Sequence, residues 1–239
     1  SCGEAGLSMR LFAPLAALSG MDVVLEARGS LARRPMHLIG EALTQLGVSC
    51  ATNEGRAPVQ LRGHLQAGTA TIDGSLSSQL LSGLCMALPC LPGDSLLHVE
   101  QLVSTPYVDM TLELMGAFGL HVTNDNYRRF AFAGGQQYRA HPYSVEGDFS
   151  GAAFLLVMGA MAGHIEVSGL PRNSRQADAR IMEALLAAGA VVRESSTTKL
   201  EQEHSIAEMT IVVEKPVEGL TAFTFDATDY VGAVEPGTD

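Results

Sequence analysis

The chain has 239 residues, of which 46% are hydrophobic and 17% charged, and a formal charge of -11 at pH 7. The apolar share excludes a disordered chain, and the length allows one large or two small domains. The acidic balance excludes nucleic acid as a partner, because neutralising its phosphates needs clustered Lys and Arg.

Residues 3–17 read as a buried helix of small and aliphatic residues, 21–27 as a strand and 29–35 as a loop. The amphipathic helix expected over 36–46 ends at Gly47, a residue suited to the left-handed turn after a helix. Short strands are expected at 48–51, 59–65 and 70–73. The same order then recurs: helix 77–88, strand 95–101, loop 102–106, helix 108–118 closed by Gly119, and strands 120–123, 129–132 and 143–145. It recurs once more: helix 149–161, strand 164–167, loop 169–175, helix 177–188 closed by Gly189, and strands 190–193, 208–213 and 222–225. The apolar stripe over 80–88 reads as core. Asp109 and Asp148 read as acids of helix N-caps or first turns, Asp178 as structural, and Arg128 and Arg129 as a solvated hairpin edge.

The recurrence has a fixed period. Gly3, Gly74 and Gly147, which open the first helices, are 71 and 73 residues apart, and Gly47, Gly119 and Gly189, which close the second ones, 72 and 70. Self-similarity at a fixed spacing defines architecture more firmly than local propensity does. The fold class expected is α/β in the α+β sense, made of about three βαβαββ units. The chain begins at a first helix and stops where a fourth one should start, so the architecture is expected to be incomplete. The tail over 231–239 has no helical period.

The densest cluster of donors is Asp73-Gly74-Ser75-Leu76-Ser77-Ser78-Gln79: strand end, glycine turn, hydroxyls, then helix. Hydroxyls and unpaired backbone N–H groups at a helix start suit a phosphate, and the same residues also suit simple N-capping. The cations are thirteen Arg against Lys199 and Lys215, and guanidinium favours two-point capture of carboxylate or phosphate. Cys2, Cys50, Cys85 and Cys90 form no CxxC pair and read as thiols of a cytoplasmic protein. The seven His are scattered, so no metal site is expected. The apolar run 11–18 is flanked by Glu4 and Asp22, unlike a signal peptide, and no run reaches the length of a membrane span.

In this order and spacing, several segments together resemble the 5-enolpyruvylshikimate-3-phosphate synthase family. They are Gly3-Glu4-Ala5-Gly6-Leu7-Ser8-Met9-Arg10, Arg34-Pro35-Met36, the Asp73 to Gln79 stretch, Ser104-Thr105-Pro106-Tyr107-Val108-Asp109, Val145-Glu146-Gly147-Asp148 and Asn173-Ser174-Arg175-Gln176-Ala177-Asp178. The resemblance implies an inside-out α/β barrel of the enolpyruvyl transferase type, with two first-lobe units in 1–143 and part of a second lobe in 144–239. It implies transfer of the enolpyruvyl group of phosphoenolpyruvate to the 5-hydroxyl of shikimate 3-phosphate, a step toward aromatic amino acids, with no cofactor. It further implies that Ser77, Ser78 and Ser104 hold the shikimate phosphate, that Gln79 and Tyr107 line that pocket and that Arg34 binds phosphoenolpyruvate. Gly6 would lie where that ligand and the inhibitor glyphosate approach the backbone.

The sequence departs from the family pattern in places. The family's amino-terminal Lys and Arg have no counterpart. Val231-Gly232 stands where a Pro-Asp pair should supply the acidic base, and Asp226 and Asp229 come too early in the chain. Ala177 replaces a usual Gly, and Leu7 a frequent Thr. No catalytic residue is therefore assigned, and a second copy or a companion chain is expected to complete the lobes. The alternatives are a fragment that binds shikimate 3-phosphate without chemistry, a purely structural fragment, and the related UDP-N-acetylglucosamine enolpyruvyl transferase. The last ranks below the others because the four cysteines read as lying in or at the ends of regular elements, not in a loop.

Overall fold

The computed structural model describes residues 1–201 and 204–226. The expectations for Asp229 and for residues 231–239 lie outside the described residues. The first repeat runs α1 (Gly6–Ala17), β1 (Val23–Leu25), α2 (His37–Gln45), β2 (Ser49–Asn53) and β3 (Arg56–Arg62). The second runs β4 (Thr69–Asp73), α3 (Gln79–Ala87), β5 (Ser95–Glu100), α4 (Thr105–Ala117), β6 (Thr123–Asp125) and β7 (Arg129–Phe132). The third runs α5 (Phe149–Ala162), β8 (His164–Pro171), α6 (Ile181–Ala187), β9 (Val191–Glu201) and β10 (His204–Glu214).

Strand order makes the repeat explicit. The second sheet is β4-β5-β7-β6, with β4 parallel to β5 and the other pairs antiparallel. The orders β1-β3-β2 and β8-β10-β9 reproduce its last three positions, the strand latest in the chain lying in the middle each time. Alternation drives the pairing: Val59 and Leu61 of β3 are buried between exposed Arg56, Gln60 and Arg62, the period-two pattern of a sheet with one dry face.

The described residues divide into two compact units, 1–141 and 142–226. In the first, Met9, Leu31, Leu43, Leu81, Leu84 and Phe130 are wholly buried, each burial stabilising by roughly 1.5–3 kcal/mol. Helices α1 and α3 touch so closely that a Cβ on Gly83 would lie 2.3 Å from the Leu11 carbonyl oxygen. The small residues of these helices are there to allow that approach. The second unit has its own core around Phe149, Leu156, Ile211 and Val213.

Two expected strands are absent. Residues 143–145 belong to no strand, and Val145 is 86% exposed. Aromatic and β-branched residues favour a strand, but a strand also needs a ladder neighbour and buried area, and here it has neither. Residues 222–225 also form no ladder. Thr221 N–H donates to Ala188 O at 2.9 Å, and pairing stops there, with Phe223 and Phe225 partly exposed. Conversely, β9 and β10 are longer than expected, because the polar run from Ser195 pairs residue by residue with β10. The helix expected over 177–188 opens as a 3-10 turn, Ala177–Arg180, before α6. Asp109 is not a first-turn acid of α4; its carboxylate accepts the Tyr127 hydroxyl at 2.9 Å. Asp148 does cap α5, accepting from Ser150 N and Gly151 N.

Candidate anion-binding site

Because β4 and β5 run parallel, the helices that follow them start at the same end of the sheet. Gly74 joins the two starts: its N–H donates to Glu100 O at 2.8 Å, and its carbonyl accepts Val103 N–H at 3.2 Å. The first repeat has similar ties, Cys2 N–H to Glu26 O at 2.8 Å and Arg28 N–H to Gly3 O at 2.7 Å. These set the start of α1 beside the 3-10 turn Gly29–Arg33, which ends at Arg34. The carboxyl ends of adjacent parallel strands, where helix N-termini converge, are where open α/β sheets take ligands.

The side chains gather accordingly. A Cβ at Gly6 would stand 3.4 Å from Arg34 Nη1 and 3.5 Å from Arg10 Nη1. Arg10 is buried on α1, and its Nη1 donates to Gln79 Oε1 at 3.3 Å. Arg10, Asp73, Ser77, Pro35 and Met36 line one narrow cleft of about 10 Å³, room for about one water. Gly6, Arg34, Ser77 and Gln79 are thus drawn together around a residue that sequence reasoning had not singled out, Arg10. The available signal was an arginine within an otherwise apolar helix, at a position one turn after Gly6.

Part of the hydroxyl cluster is committed to backbone. Ser77 Oγ accepts Gln79 N–H at 3.1 Å, and Asp73 Oδ1 accepts Ser75 N–H at 2.8 Å. The Ser75 hydroxyl and N–H hold the Asp73 carboxyl below its ordinary range, with a smaller contribution from His37. Ser78 is buried, and its carbonyl accepts Ser82 N–H. Ser104 and Tyr107 are not in the cleft lining; they open α4 beside it. Ser104 has left-handed backbone at φ 58°, ψ 43°, and its carbonyl accepts Tyr107 N–H. Such a conformation in a serine costs about 1–3 kcal/mol and tends to be kept at ligand sites. The α3 and α4 helices are joined by Ser82 Oγ and Thr111 Oγ1 at 2.9 Å. Among the described residues no group of three or more His, Cys, Asp and Glu side chains is placed to hold a metal ion.

Repeated βαβαββ sheets of this kind are consistent with the enolpyruvyl transferase fold. The family model for EPSP synthase (3-phosphoshikimate 1-carboxyvinyltransferase) matches residues 1–227, and the chain belongs to that family. A 3-phosphoshikimate 1-carboxyvinyltransferase of Klebsiella pneumoniae is 41% identical over 195 residues, covering 80% of this chain and 46% of the relative. One from Cronobacter sakazakii is 42% identical over 193 residues, covering 79% and 45%. A solved EPSP synthase from Acinetobacter baumannii shares the fold, with a TM-score of 0.64 at 24% identity over 87% of this chain and 46% of that one. The chain spans about half the length of the curated relatives it matches.

Proposed function

We propose that this chain holds shikimate 3-phosphate and phosphoenolpyruvate for transfer of the enolpyruvyl group to the 5-hydroxyl of the former. The observation that carries the reading is the convergence of Gly6, Arg10 and Arg34 of one repeat on Ser77 and Gln79 of the next. In this reading Ser77, Ser78 and Ser104 take the shikimate phosphate, and Gln79 and Tyr107 border it. Arg34 takes phosphoenolpyruvate where Gly6 leaves space for it, or for glyphosate. Both ligands are polyanions, so an acidic chain has to concentrate its guanidinium and hydroxyl donors in one place. Such fixed donors also stabilise charge that develops during transfer.

In the same reading, residues 1–143 are two units of a first lobe and 144–239 are part of a second, completed by a second copy or a companion chain. Support comes from the repeat register. With Gly147 set on Gly74, a shift of 73 residues, the wholly buried Leu81, Cys85 and Leu88 of the α3 region correspond to Phe154, Met158 and Met161. Those three are 81%, 49% and 61% exposed. A helix face that is core in one repeat and solvated in another suits a missing neighbour. A cytoplasmic setting belongs to the same reading; it suits four cysteines that are all thiols. No helix among the described residues is long and apolar enough to cross a membrane.

Calorimetry with shikimate 3-phosphate, followed by phosphoenolpyruvate and a phosphate-release assay, tests the proposal. Binding by the chain alone, with turnover only after a complementing chain is added, is the expected result. No heat at millimolar shikimate 3-phosphate overturns it.

A further inference from the structure

We infer that Glu4 is a positioning residue for Arg34, clamping the loop that delivers the guanidinium to the Gly6 site. The inference rests on the anion-binding reading above. Glu4 Oε2 accepts both the N–H of Ser30 at 2.9 Å and its hydroxyl at 3.2 Å. The neighbouring Gly29 has φ +53°, and a Cβ there would lie 2.1 Å from the same oxygen. The carboxylate therefore occupies the space that any side chain at position 29 would need. With the backbone bonds of Cys2 to Glu26 and of Arg28 to Gly3, the entry to α1 is fastened to this loop at three successive points.

From Ser30 the path to Arg34 is short and held throughout. The 3-10 turn Gly29–Arg33 carries the wholly buried Leu31, whose Cδ1 lies 3.6 Å from the Cβ position of Gly6. Arg34 N–H then donates to Leu31 O at 3.1 Å. Ser30 N–H is one of the first donors of that turn, which has no partner earlier in its own helix, so an outside acceptor sets how the turn begins. Hydrogen bonds from Ser30 keep the Glu4 carboxyl below its ordinary range, with a smaller contribution from the Arg33 charge.

A carboxylate two residues from Gly6 should repel an anion by its charge alone. The clamp works in the opposite direction, and this separates the two effects. The test is calorimetric titration of phosphoenolpyruvate, with shikimate 3-phosphate present, into the full chain and its E4A and E4Q variants. Deuterium exchange over residues 28–36 is followed in parallel. The clamp predicts about fivefold weaker binding for E4A, with faster exchange in that segment. E4Q keeps an acceptor for Ser30 and restores both readouts. Equal or tighter binding by E4A, unchanged exchange in E4A, or a failure of E4Q to rescue overturns the clamp while leaving the site reading intact. Absence of binding by the unsubstituted chain overturns the site reading itself, and this inference with it.

Discussion

Arg10 Nη1 donates to Gln79 Oε1 across 3.3 Å, and that bond ties the first helix of one repeat to the first helix of the next. Both residues sit one turn or less from a helix start, α1 and α3. The contact therefore aligns two N-terminal ends, the ends whose dipoles favour an anion.

Replacing Arg10 by Met keeps length and apolar packing but removes the charge and the donor to Gln79. Loss of a charged hydrogen bond of this kind costs about 1–3 kcal/mol of stability. Affinity for shikimate 3-phosphate should fall by about tenfold, because Gln79 loses its tether. Urea unfolding reads the first quantity and calorimetry the second. Unchanged affinity would separate Arg10 from the site.

The repeat was legible because it is written in helix ends. Gly47, Gly119 and Gly189 all have left-handed backbone, at φ +83°, +85° and +81°, a conformation that glycine reaches without a Cβ penalty. The start of the hydroxyl cluster was legible for a related reason: short polar side chains mark caps. The segments at 143–145 and 222–225 were misread because local propensity does not reveal whether a ladder partner exists. Arg10 and Glu4 were hidden for a different reason. Their partners, Gln79 and Ser30, are 69 and 26 residues away, and an isolated charge in a sequence looks the same whether it faces solvent or a distant donor.

Gly6→Ala should separate folding from ligand approach. The added methyl would meet Arg34 Nη1 at 3.4 Å, Arg10 Nη1 at 3.5 Å and Leu31 Cδ1 at 3.6 Å. These distances are close to ordinary contact, so stability should hold, with the helix start gaining up to about 1 kcal/mol from Ala. The same methyl stands between two guanidinium groups. Phosphoenolpyruvate affinity should drop by about tenfold, while shikimate 3-phosphate affinity stays within about twofold. Paired titrations with the two ligands check the split.

Two helical glycines should respond in opposite directions to alanine. At Gly83 the new Cβ would lie 2.3 Å from the Leu11 carbonyl oxygen, a backbone atom that cannot rotate away. Forcing α1 and α3 apart should cost about 1–3 kcal/mol, outweighing the propensity gain of about 1 kcal/mol. Gly116, exposed in α4, has nothing within 4 Å of its Cβ position. Its alanine variant should gain a few tenths to about 1 kcal/mol. Thermal melting of the two variants, shifted down and up respectively, is the check.

Tyr138 should titrate late. Its phenol is pushed up to about 12, first by burial and then by the nearby Cys90 and Cys85, and its hydroxyl donates to Met86 O at 2.9 Å. The neutral form is the one the fold favours, and the folded value lies above the ordinary 10.0. Its contribution to stability is therefore complete below the ordinary value and is lost as pH rises through the folded one. Its phenol should ionise late in a spectrophotometric alkaline titration, and Y138F should remove that late component.

The last prediction concerns the second unit. Gln176 is buried, and its amide joins two segments about thirty residues apart. Nε2 donates to Glu146 Oε1 at 2.7 Å and to Gly147 O at 2.8 Å, while Oε1 accepts Phe149 N–H at 2.7 Å. The turn that opens α5, with its Asp148 cap, is thus held from the loop before α6. Gln176→Leu would keep the volume and leave a buried N–H and a carbonyl without partners, at a cost of about 2–4 kcal/mol. Gln176→Glu would keep one acceptor but place a second carboxylate against Glu146, so it should not rescue the loss. Hydrogen exchange should accelerate across α5 in both variants, while the residues of the first unit, with their separate core, exchange as before. Protection of α5 equal to that of the unsubstituted chain would show that Asp148 alone secures the helix start.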